Sequence, residues 1–498
     1  MNDAQSDLVV IGGGLAGLTA AVRSAQLGLR VIVLEAGNAK RYLCNSRLAM
    51  GFFNVAFRDI REGATVMRLG IEQATLGTAD PQLADTLAHN IGPALRWLHG
   101  CGIRTIVGNW RQGMAEMLVP PAAIGAGLRW PGRGADQMMR RLETLLLHYG
   151  GRLVRGARAR ELRMSDGRCV GLIADVQGRG VVFQADAVLI ADGGFQNSET
   201  LLREFVTSRP DRMLMRNAGT ARGDGLLMAR RAGARIVESA DFYGHVQSAD
   251  SLHDPRLWPY PTLDNLIGAG VLVGADGARL TDEGMGGVFV ANAIARQADP
   301  LGCVVIFDRT IWNGRAADFP LPANPLLAKA GAKVHRAASL DTLAASAGLP
   351  VPALMRTIAD YNDAVRSHAA DNLSPPRSGH ILRPMPIADA PFFAVPAAAG
   401  ITYTMGGIAI DGDARVRHRD GGFIAGLYAA GSTTGGHEGG PRVGYTGGLS
   451  KALTFGWCAA RAVARDREAV VRLQTVQNLK PCVRQSTRTG NVDDGCER

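Results

Sequence analysis

Residues 7–37 read DLVVIGGGLAGLTAAVRSAQLGLRVIVLEAG, and this stretch decides the fold. An apolar run is followed by a glycine-rich turn, a helical segment and a second apolar run that ends at Glu35. This order predicts a βαβ unit, with a tight turn between the first strand and the helix. Gly12, Gly14 and Gly17 have G-x-G-x-x-G spacing at the point where the helix opens.

The glycine spacing predicts a dinucleotide site. Glycines allow a tight turn, a close approach of backbone N–H groups to a pyrophosphate, and close packing of a helix whose N-terminus favours negative charge. Glu35 can accept hydrogen bonds from both hydroxyls of a ribose, which favours FAD or NAD over NADP. Further glycine-rich elements follow far along the chain, and a simple NAD dehydrogenase does not need them. The sequence therefore favours FAD.

Composition excludes several classes of protein. The 498 residues predict two domains, and 46% hydrophobic with 20% charged residues is typical of globular proteins. The net charge of +10 is spread along the chain without a basic cluster, so we expect anionic small ligands and no nucleic acid. No apolar stretch is long enough to span a bilayer, and we expect a cytoplasmic protein without a transmembrane segment. Seven cysteines without a CxxC pair indicate no metal site and no iron–sulfur cluster.

The texture of the chain predicts its organisation. Short β-like runs between residues 152 and 191 predict a small antiparallel sheet that returns to the main one. Proline-containing loops and helices then predict an inserted cap. We expect an α/β fold: a split, Rossmann-like FAD-binding domain of the glutathione-reductase type, from residues 1–238 and 385–466, with an α+β cap at 239–384. Residues 467–498 are polar and predict a mobile tail.

Six ordered segments make the chain resemble the flavoprotein family of fumarate reductases, succinate dehydrogenases and related FAD-binding dehydrogenases, including ketosteroid and tricarballylate-type members. They are residues 7–37, CNSRLAMGFFNVAF at 44–57, VLIADGGF at 188–195, GTARGDGLLMARRAGA at 219–234, TMGGIAID at 404–411 and GLYAAGSTTGG at 426–436.

The resemblance implies a set of FAD contacts, dominated by backbone and short side chains. These residues are Gly12, Gly14, Ala16, Gly17, Glu35, Ala36, Asn45, Ser46, Ala191, Gly193, Asp224, Gly431 and Ser450. Asp192 and Arg222 stand where the family usually has Thr, and Ser432 stands where many members carry Glu. Some quinone-linked members bond the flavin covalently through a His at the position of Asn45, so we expect dissociable FAD here.

The resemblance also implies candidate catalytic residues. Arg442, in GGHEGGPRVGYTGG at 435–448, matches an Arg that binds a substrate carboxylate in fumarate reductases. Tyr403 stands where those enzymes have a substrate-binding His, His245 resembles a second such His, and His437 lies in the same polar glycine loop as Arg442. Gly287 stands where soluble fumarate reductases carry a proton-delivering Arg. This departure favours another substrate or the dehydrogenation direction, with His437, His245 or Tyr403 as proton acceptor.

The expected function is FAD-dependent hydride exchange between flavin N5 and a C–C bond next to a carboxylate or ketone, in a dehydrogenase more than in a fumarate reductase. A flavoprotein subunit of a membrane-linked electron-transfer complex and a ketosteroid-type dehydrogenase stay open as alternatives. A flavin monooxygenase is disfavoured because AAGSTTGG lacks the usual G-D motif before the last helix. The electron donor or acceptor is left open.

Overall fold

The computed structural model describes residues 6–108, 116–123, 125–318 and 321–478. The strands are numbered in chain order. They are β1 (Ser6–Ile11), β2 (Val31–Glu35), β3 (Phe52–Phe53), β4 (Thr105–Val107), β5 (Glu116–Leu118), β6 (Arg152–Arg155), β7 (Ala157–Ser165), β8 (Arg168–Val176), β9 (Arg179–Ile190), β10 (Leu214–Met215), β11 (Ile236–Val237), β12 (Phe242–Ser248), β13 (Val271–Val273), β14 (Val304–Asp308), β15 (His335–Ala337), β16 (Phe392–Thr404), β17 (Gly407–Ile408), β18 (Arg415–Arg417) and β19 (Phe423–Ala429).

The α-helices alternate with these strands over most of the chain. They are α1 (Leu15–Gln26), α2 (Asn45–Leu48), α3 (Ala64–Thr75), α4 (Pro81–Gly100), α5 (Gly134–His148), α6 (Glu199–Phe205), α7 (Asp224–Arg231), α8 (Asp264–Ala269), α9 (Gly287–Ala295), α10 (Arg309–Asn313), α11 (Ala323–Ala330), α12 (Leu340–Ala347), α13 (Val351–Arg366) and α14 (Gly448–Asn478). The predicted α/β class is confirmed.

The larger sheet joins strands from both ends of the sequence. Strands β19, β9, β1, β2 and β6 lie side by side and parallel, so that β1 and β19 both flank β9. Every residue of β1 and β2 is buried, as expected for parallel strands covered on both faces. Helices α1 and α14 pack against each other beside this sheet. Strands β7, β8 and β9 form the antiparallel extension that the short β-like runs predict.

A second sheet is built around β16. This strand pairs with β10, which precedes the predicted cap in the sequence, and with β12, β14 and β15, which belong to the predicted cap. Alanine is the most frequent residue of β16, and almost all of the residues of this strand are buried. The C-terminal end of β16 carries Thr402 and Tyr403, which line the cavity described below. This strand therefore brings the second sheet to the edge of that cavity.

The last helix extends past residue 467, where the sequence predicts the start of the tail. Helix α14 continues to Asn478, because the segment between contains helix-forming residues and neither Gly nor Pro. Arg467 lies on this extension and pairs with the buried Asp7 at 3.1 Å. Residues 479–498 lie outside the described part of the chain. Within the described ranges, no helix is both long and apolar enough to cross a membrane.

Candidate active site

A cavity of about 330 Å³ opens at the edge of the larger sheet, where β1, β2 and β9 end. Its lining extends from Glu35 and Arg158 at one end to Tyr403 and Tyr445 at the other. Eleven of the thirteen expected FAD contacts are among the lining residues: Gly12, Gly14, Ala16, Glu35, Ala36, Asn45, Ser46, Ala191, Gly193, Asp224 and Gly431.

The other two expected contacts do not line the cavity. A Cβ on Gly17 would lie 2.0 Å from the Gly12 carbonyl oxygen, so this glycine allows α1 to pack on the turn. The Ser450 hydroxyl is fully buried and accepts a hydrogen bond from the Asn54 N–H at 3.2 Å. Both residues shape the cavity from behind, whereas Gly448, Leu449 and Ala452 of α14 form its surface.

The glycine turn has the geometry of a close-approach site. Gly12 has φ +100°, and a Cβ there would lie 2.5 Å from the Ala191 carbonyl oxygen. A Cβ on Gly14 would meet nothing closer than 3.6 Å, so the space above this residue is open to a ligand. The Leu15 N–H at the start of α1 donates to the Ser46 hydroxyl at 3.0 Å. These features fit a pyrophosphate lying over the N-terminus of α1.

Glu35 is held in place by the same turn. Its carboxylate accepts from the Gly13 N–H at 2.9 Å and from the Gly37 N–H at 2.7 Å. Burial raises the pKa of Glu35, and these two backbone donors oppose that effect. Each carboxylate oxygen keeps a second lone pair, so the side chain can still accept from ribose hydroxyls.

Asn45 and Cys44 lie beside the turn. The Asn45 amide donates to the Thr402 carbonyl at 2.8 Å and its oxygen accepts from the Ala218 N–H at 2.9 Å, so this side chain ties α2 to β16 and to the loop that follows β10. Burial raises the pKa of the Cys44 thiol to about 12. A thiol of this kind carries almost no nucleophilic thiolate at neutral pH.

Asp192 plays a part that sequence reasoning missed. Its carboxylate accepts from the Gly225 N–H at 2.7 Å, and so it ties the end of β9 to the first turn of α7. Burial raises its pKa to about 7, against the opposing effect of that backbone donor. Asp224, an expected FAD contact, is paired with Arg158 through two hydrogen bonds of 2.8 and 2.9 Å. The substitution of Asp192 for the usual Thr was the available signal.

A cluster of tyrosines and one histidine forms the other end of the cavity. The rings of Tyr243 and Tyr445 stack with centroids 4.2 Å apart, and Tyr403 lies 5.1 Å from Tyr243. Burial raises the pKa of all three phenols, which therefore stay protonated at neutral pH. The Gly448 N–H at the start of α14 donates to the Tyr445 oxygen at 3.0 Å, and the side chains of Tyr243 and Asn54 also form hydrogen bonds with this phenol.

His245 stands between Tyr243 and Asp264. Its Nδ1 lies 2.5 Å from Asp264 Oδ2, and its Nε2 lies 3.0 Å from the Tyr243 hydroxyl. Burial opposes ionisation of Asp264, but His245 and the Val246 N–H hold the pKa of that carboxyl below its usual value. Because a carboxylate can only accept, Nδ1 carries a hydrogen, and in the neutral ring Nε2 accepts from Tyr243.

The absence of a side chain at Gly287 makes room for the Asp264 carboxyl group. A Cβ on Gly287 would lie 2.0 Å from the Asp264 carboxyl carbon, so Asp264 fills the space that a side chain at position 287 would need. An Arg cannot be accommodated there. The signals for this cluster in the sequence are the departure at Gly287 and the i, i+2 spacing of Tyr243 and His245, which places both on one face of a strand.

The structure does not bring His437 and Arg442 into the cavity. His437 is 3% exposed, contacts the Thr434 hydroxyl at 3.1 Å, and packs its edge against Phe455. Burial, followed by Lys451, lowers its pKa well below the usual value. Arg442 lies in the turn closed by Gly439 and Gly444, which rests on the C-terminal end of α3. Of the four catalytic candidates, only His245 and Tyr403 line the cavity.

Arg216 supplies a cation to the cavity wall that the sequence did not single out. Its Nη1 donates to the Thr402 hydroxyl at 3.0 Å and its Nε to the Pro259 carbonyl at 3.1 Å. The guanidinium lies over the Tyr260 ring, 4.9 Å from the centroid. Only 8% of the residue is exposed, so a ligand group that reaches its remaining N–H groups would be largely desolvated.

The nucleotide end of the cavity has the features of a flavin-nucleotide site, and the comparisons with known proteins agree. The family described as FAD binding domain matches residues 7–446. The chain belongs to this family. FAD is its cofactor, and the sequence-based assignment to the FAD-dependent oxidoreductases of the fumarate reductase and succinate dehydrogenase flavoprotein family is confirmed.

Three proteins illustrate the range of this similarity. NADH:acrylate oxidoreductase of Vibrio harveyi is 26% identical over 92% of this chain and 50% of its own length. 4-Oxocyclohexanecarboxylate 2-dehydrogenase of Sinomonas cyclohexanicum is 29% identical over 56% of this chain and 51% of its own length. The chain thus aligns with about half the length of both curated relatives. The crystal structure of 3-ketosteroid delta1-dehydrogenase from Sterolibacterium denitrificans in complex with 1,4-androstadiene-3,17-dione shares the fold, with a TM-score of 0.73, 17% identity, and coverage of 93% of this chain and 100% of that one.

Proposed function

We propose that this protein is an FAD-dependent dehydrogenase that removes hydride and a proton from adjacent carbons next to a ketone. FAD, when bound, supplies the hydride acceptor. The observation that carries the proposal is the arrangement of Tyr445, Tyr243 and the His245–Asp264 pair at the α14 end of the cavity. It combines a hydrogen-bond donor for a carbonyl with an imidazole and carboxylate that can take a proton.

Tyr445 has the position and polarity of the carbonyl donor. Because the Gly448 N–H already occupies a lone pair on its oxygen, the Tyr445 hydroxyl is polarised toward donation. Donation to a ketone oxygen makes the neighbouring C–H bonds more acidic and stabilises the negative charge that develops on that oxygen. The high pKa of Tyr445 keeps it a donor throughout the neutral range.

The proton leaves through Tyr243 and His245. The Tyr243 oxygen takes a proton from the carbon next to the ketone while its own hydrogen moves to His245 Nε2, 3.0 Å away. Bound FAD would accept the hydride of the adjacent carbon, so that a C=C bond would form between the two carbons. Asp264 stabilises the resulting imidazolium through the bond to Nδ1. The His245 side chain is 19% exposed, which gives the proton a route to water.

Arg216 extends the proposal to ketones that also carry an anionic group. Its side chain lines the same cavity as Tyr243, His245 and Asp264. An Arg can bind a carboxylate with paired hydrogen bonds. One curated relative is named for 4-oxocyclohexanecarboxylate, a molecule with both groups. We propose that a keto acid of this kind binds with its carbonyl at Tyr445 and its carboxylate at Arg216.

The domain assignment supports this reading. We propose that residues 1–238 and 385–466 hold FAD as a split Rossmann-like domain, and that residues 239–384 form the cap over the substrate, with β10 and β16 joining the cap sheet from the FAD side. We also propose dissociable FAD, because the Asn45 side chain is engaged by backbone and Cys44 is protonated. Acid precipitation should release yellow flavin, and flavin retained in the pellet would contradict this proposal.

The test of function is anaerobic mixing of the FAD-loaded protein with matched saturated and unsaturated ketones, keto acids and acids. Bleaching of the flavin band near roughly 450 nm by a saturated ketone or keto acid is the expected result. A flavin that ignores saturated compounds, but is reoxidised from its dithionite-reduced form by an unsaturated acid, would show a reductase instead. The name of the Vibrio harveyi relative, an acrylate oxidoreductase, is the reason to include acrylate in the panel.

The main alternative is a flavoprotein subunit that works only within a membrane-linked electron-transfer complex. In that case, the purified chain would exchange hydride with substrate once but would not turn over with soluble acceptors. Steady-state turnover with a dye or dioxygen as acceptor separates the two cases.

A further inference from the structure

A buried ion pair lies behind Tyr403. The Lys451 ammonium contacts Glu438 Oε2, and neither side chain has any exposed surface. Glu438 Oε1 accepts from the Thr446 N–H at 3.0 Å and from the Tyr403 hydroxyl at 2.9 Å. The Lys451 ammonium also lies over the Tyr403 ring, 4.9 Å from its centroid. Three separate elements, β16, the polar glycine loop and α14, thus meet at one carboxylate.

The contacts fix which atom carries each hydrogen. An ionised carboxylate can only accept, and a phenol has a single hydrogen to donate. The Tyr403 hydrogen is therefore committed to Glu438, and only oxygen lone pairs remain for the cavity. Moving this hydrogen onto Glu438 would leave Lys451 as an unpaired buried cation, which is strongly unfavourable. Tyr403 is therefore poorly suited to accept a substrate proton, the role expected from the sequence, and is equally poorly suited to donate to a carbonyl or carboxylate.

The position of Tyr403 makes this polarity relevant to a ligand. Tyr403 lines the cavity, and its oxygen lies 3.4 Å from where a Cβ on Gly448 would be. Tyr445 contacts the same first turn of α14, but there the Gly448 N–H donates to the phenol oxygen. Two neighbouring tyrosines thus present opposite polarity: Tyr445 offers a hydrogen and Tyr403 offers lone pairs.

We propose that Glu438 and Lys451 are positioning residues that make Tyr403 a hydrogen-bond acceptor, so that the site binds a ketone bearing a hydroxyl or another O–H or N–H donor more tightly than the same ketone with an ether in its place. The ketone oxygen lies at Tyr445 and the donor group at Tyr403. A carboxylate or ether oxygen at Tyr403 is rejected, because lone pairs would face lone pairs. This inference rests on the proposed function, since it assigns the ligand to the same site.

The test uses aromatic ketones, which bind but have no saturated ring C–C bond to dehydrogenate. The probes are 3- and 4-hydroxyacetophenone, their methoxy counterparts and 4-acetylbenzoate, titrated against the FAD-loaded oxidised protein and followed by the shift of the flavin spectrum. We expect one of the hydroxy ketones to bind about three- to tenfold more tightly than its methoxy counterpart, as one hydrogen bond allows. Tyr403→Phe keeps the ion pair and should abolish this preference.

A double variant separates polarity from packing. In Glu438→Leu with Lys451→Met, both charges are replaced together, and the Tyr403 hydrogen becomes free to turn toward the cavity. The preference should then fall to none or reverse toward the methoxy ketone. The matched control is Arg279→Met with Glu283→Leu, a second buried ion pair remote from the cavity lining, which should leave the preference unchanged.

The outcomes distinguish this inference from the proposed function. A hydroxyl preference that survives in Tyr403→Phe, or that is absent from the wild type although the ketones bind, overturns the inference alone. Failure of every aromatic ketone to shift the flavin spectrum overturns both the inference and the assignment of the site to ketones.

Discussion

The carboxyl group of Asp264 occupies the space into which a side chain at Gly287 would project, with the Cβ position only 2.0 Å from the Asp264 carboxyl carbon. Glycine at position 287 therefore does more than remove the Arg that soluble fumarate reductases carry there. Its small size admits Asp264, which in turn orients His245. The absence of a side chain at this position of α9 thus allows a carboxylate to contact His245, the proton acceptor proposed above.

Gly287→Ala should displace Asp264 from His245. The added methyl group cannot fit beside the carboxyl group, so we expect flavin reduction by a saturated ketone to slow by roughly 100-fold, the lower range for losing a proton-transfer group. Stopped-flow absorbance of the flavin measures this rate. Gly92→Ala on α4 is the control, because the nearest atom to its Cβ is a flexible Arg96 nitrogen at 3.5 Å. Equal rates in both variants would contradict the role given to Asp264.

Asp264→Asn should impair both catalysis and acid-sensitive stability. The amide can present a donor to Nδ1 and favour the wrong tautomer of His245, so we expect a loss of at least about 100-fold in flavin reduction. The pKa of Asp264 is lowered on folding, so its ionised form stabilises the protein above the usual carboxyl pKa, and this contribution is lost as pH falls through the lower folded value.

The difference in unfolding free energy between wild type and Asp264→Asn should therefore shrink on acidification, as measured by urea unfolding at a series of pH values. Asp389→Asn provides the comparison, because Asp389 also has a lowered pKa but pairs with Arg309 on the surface. That variant should leave the rate of flavin reduction unchanged. A difference in stability that grows toward low pH would have the wrong sign for the proposed ion pair.

Arg216 and Arg442 should behave differently toward anionic substrates. Arg216→Gln should weaken binding of a keto acid by about 10- to 100-fold, the range for losing one charge-assisted interaction, and should affect the matched neutral ketone much less. Arg442→Gln should alter neither, because Arg442 does not line the cavity. Titration of the flavin spectrum with the two ligands measures both effects. A selective loss of keto-acid binding in Arg442→Gln alone would restore the sequence-based assignment.

Gly12→Ala should abolish FAD retention. Its Cβ would lie 2.5 Å from the Ala191 carbonyl oxygen, in addition to the strain of a side chain at φ +100°. Gly28→Ala isolates the second effect, because Gly28 has φ +83° with no atom within 4 Å of its Cβ. We expect Gly28→Ala to cost roughly 1 kcal/mol of stability and to keep its flavin. The ratio of flavin to protein absorbance after gel filtration reports the result.

The nucleotide half of the site could be predicted from sequence because it depends on local backbone geometry. A strand, a G-x-G-x-x-G turn and a helix specify one another within a few residues, and so Gly12, Gly14 and Glu35 reach the cavity as a unit. Gly17 was assigned as a contact within this motif, and Ser450 was assigned through the resemblance to the family. Each instead packs against the backbone behind the cavity, a distinction that depends on which side of a helix faces the ligand.

The sequence by itself determined the βαβ unit and the dinucleotide site, since periodicity and glycine spacing act over short stretches of chain, and the resemblance of six ordered segments indicated the family. Only the tertiary structure decided the substrate end. A glycine-rich loop has no side-chain periodicity, and its backbone course leaves Arg442 outside the cavity lining while Tyr445 is part of it. Asp264 and Gly287 meet through the packing of α8 against α9. Contacts between residues distant in sequence depend on that packing, which no local pattern encodes.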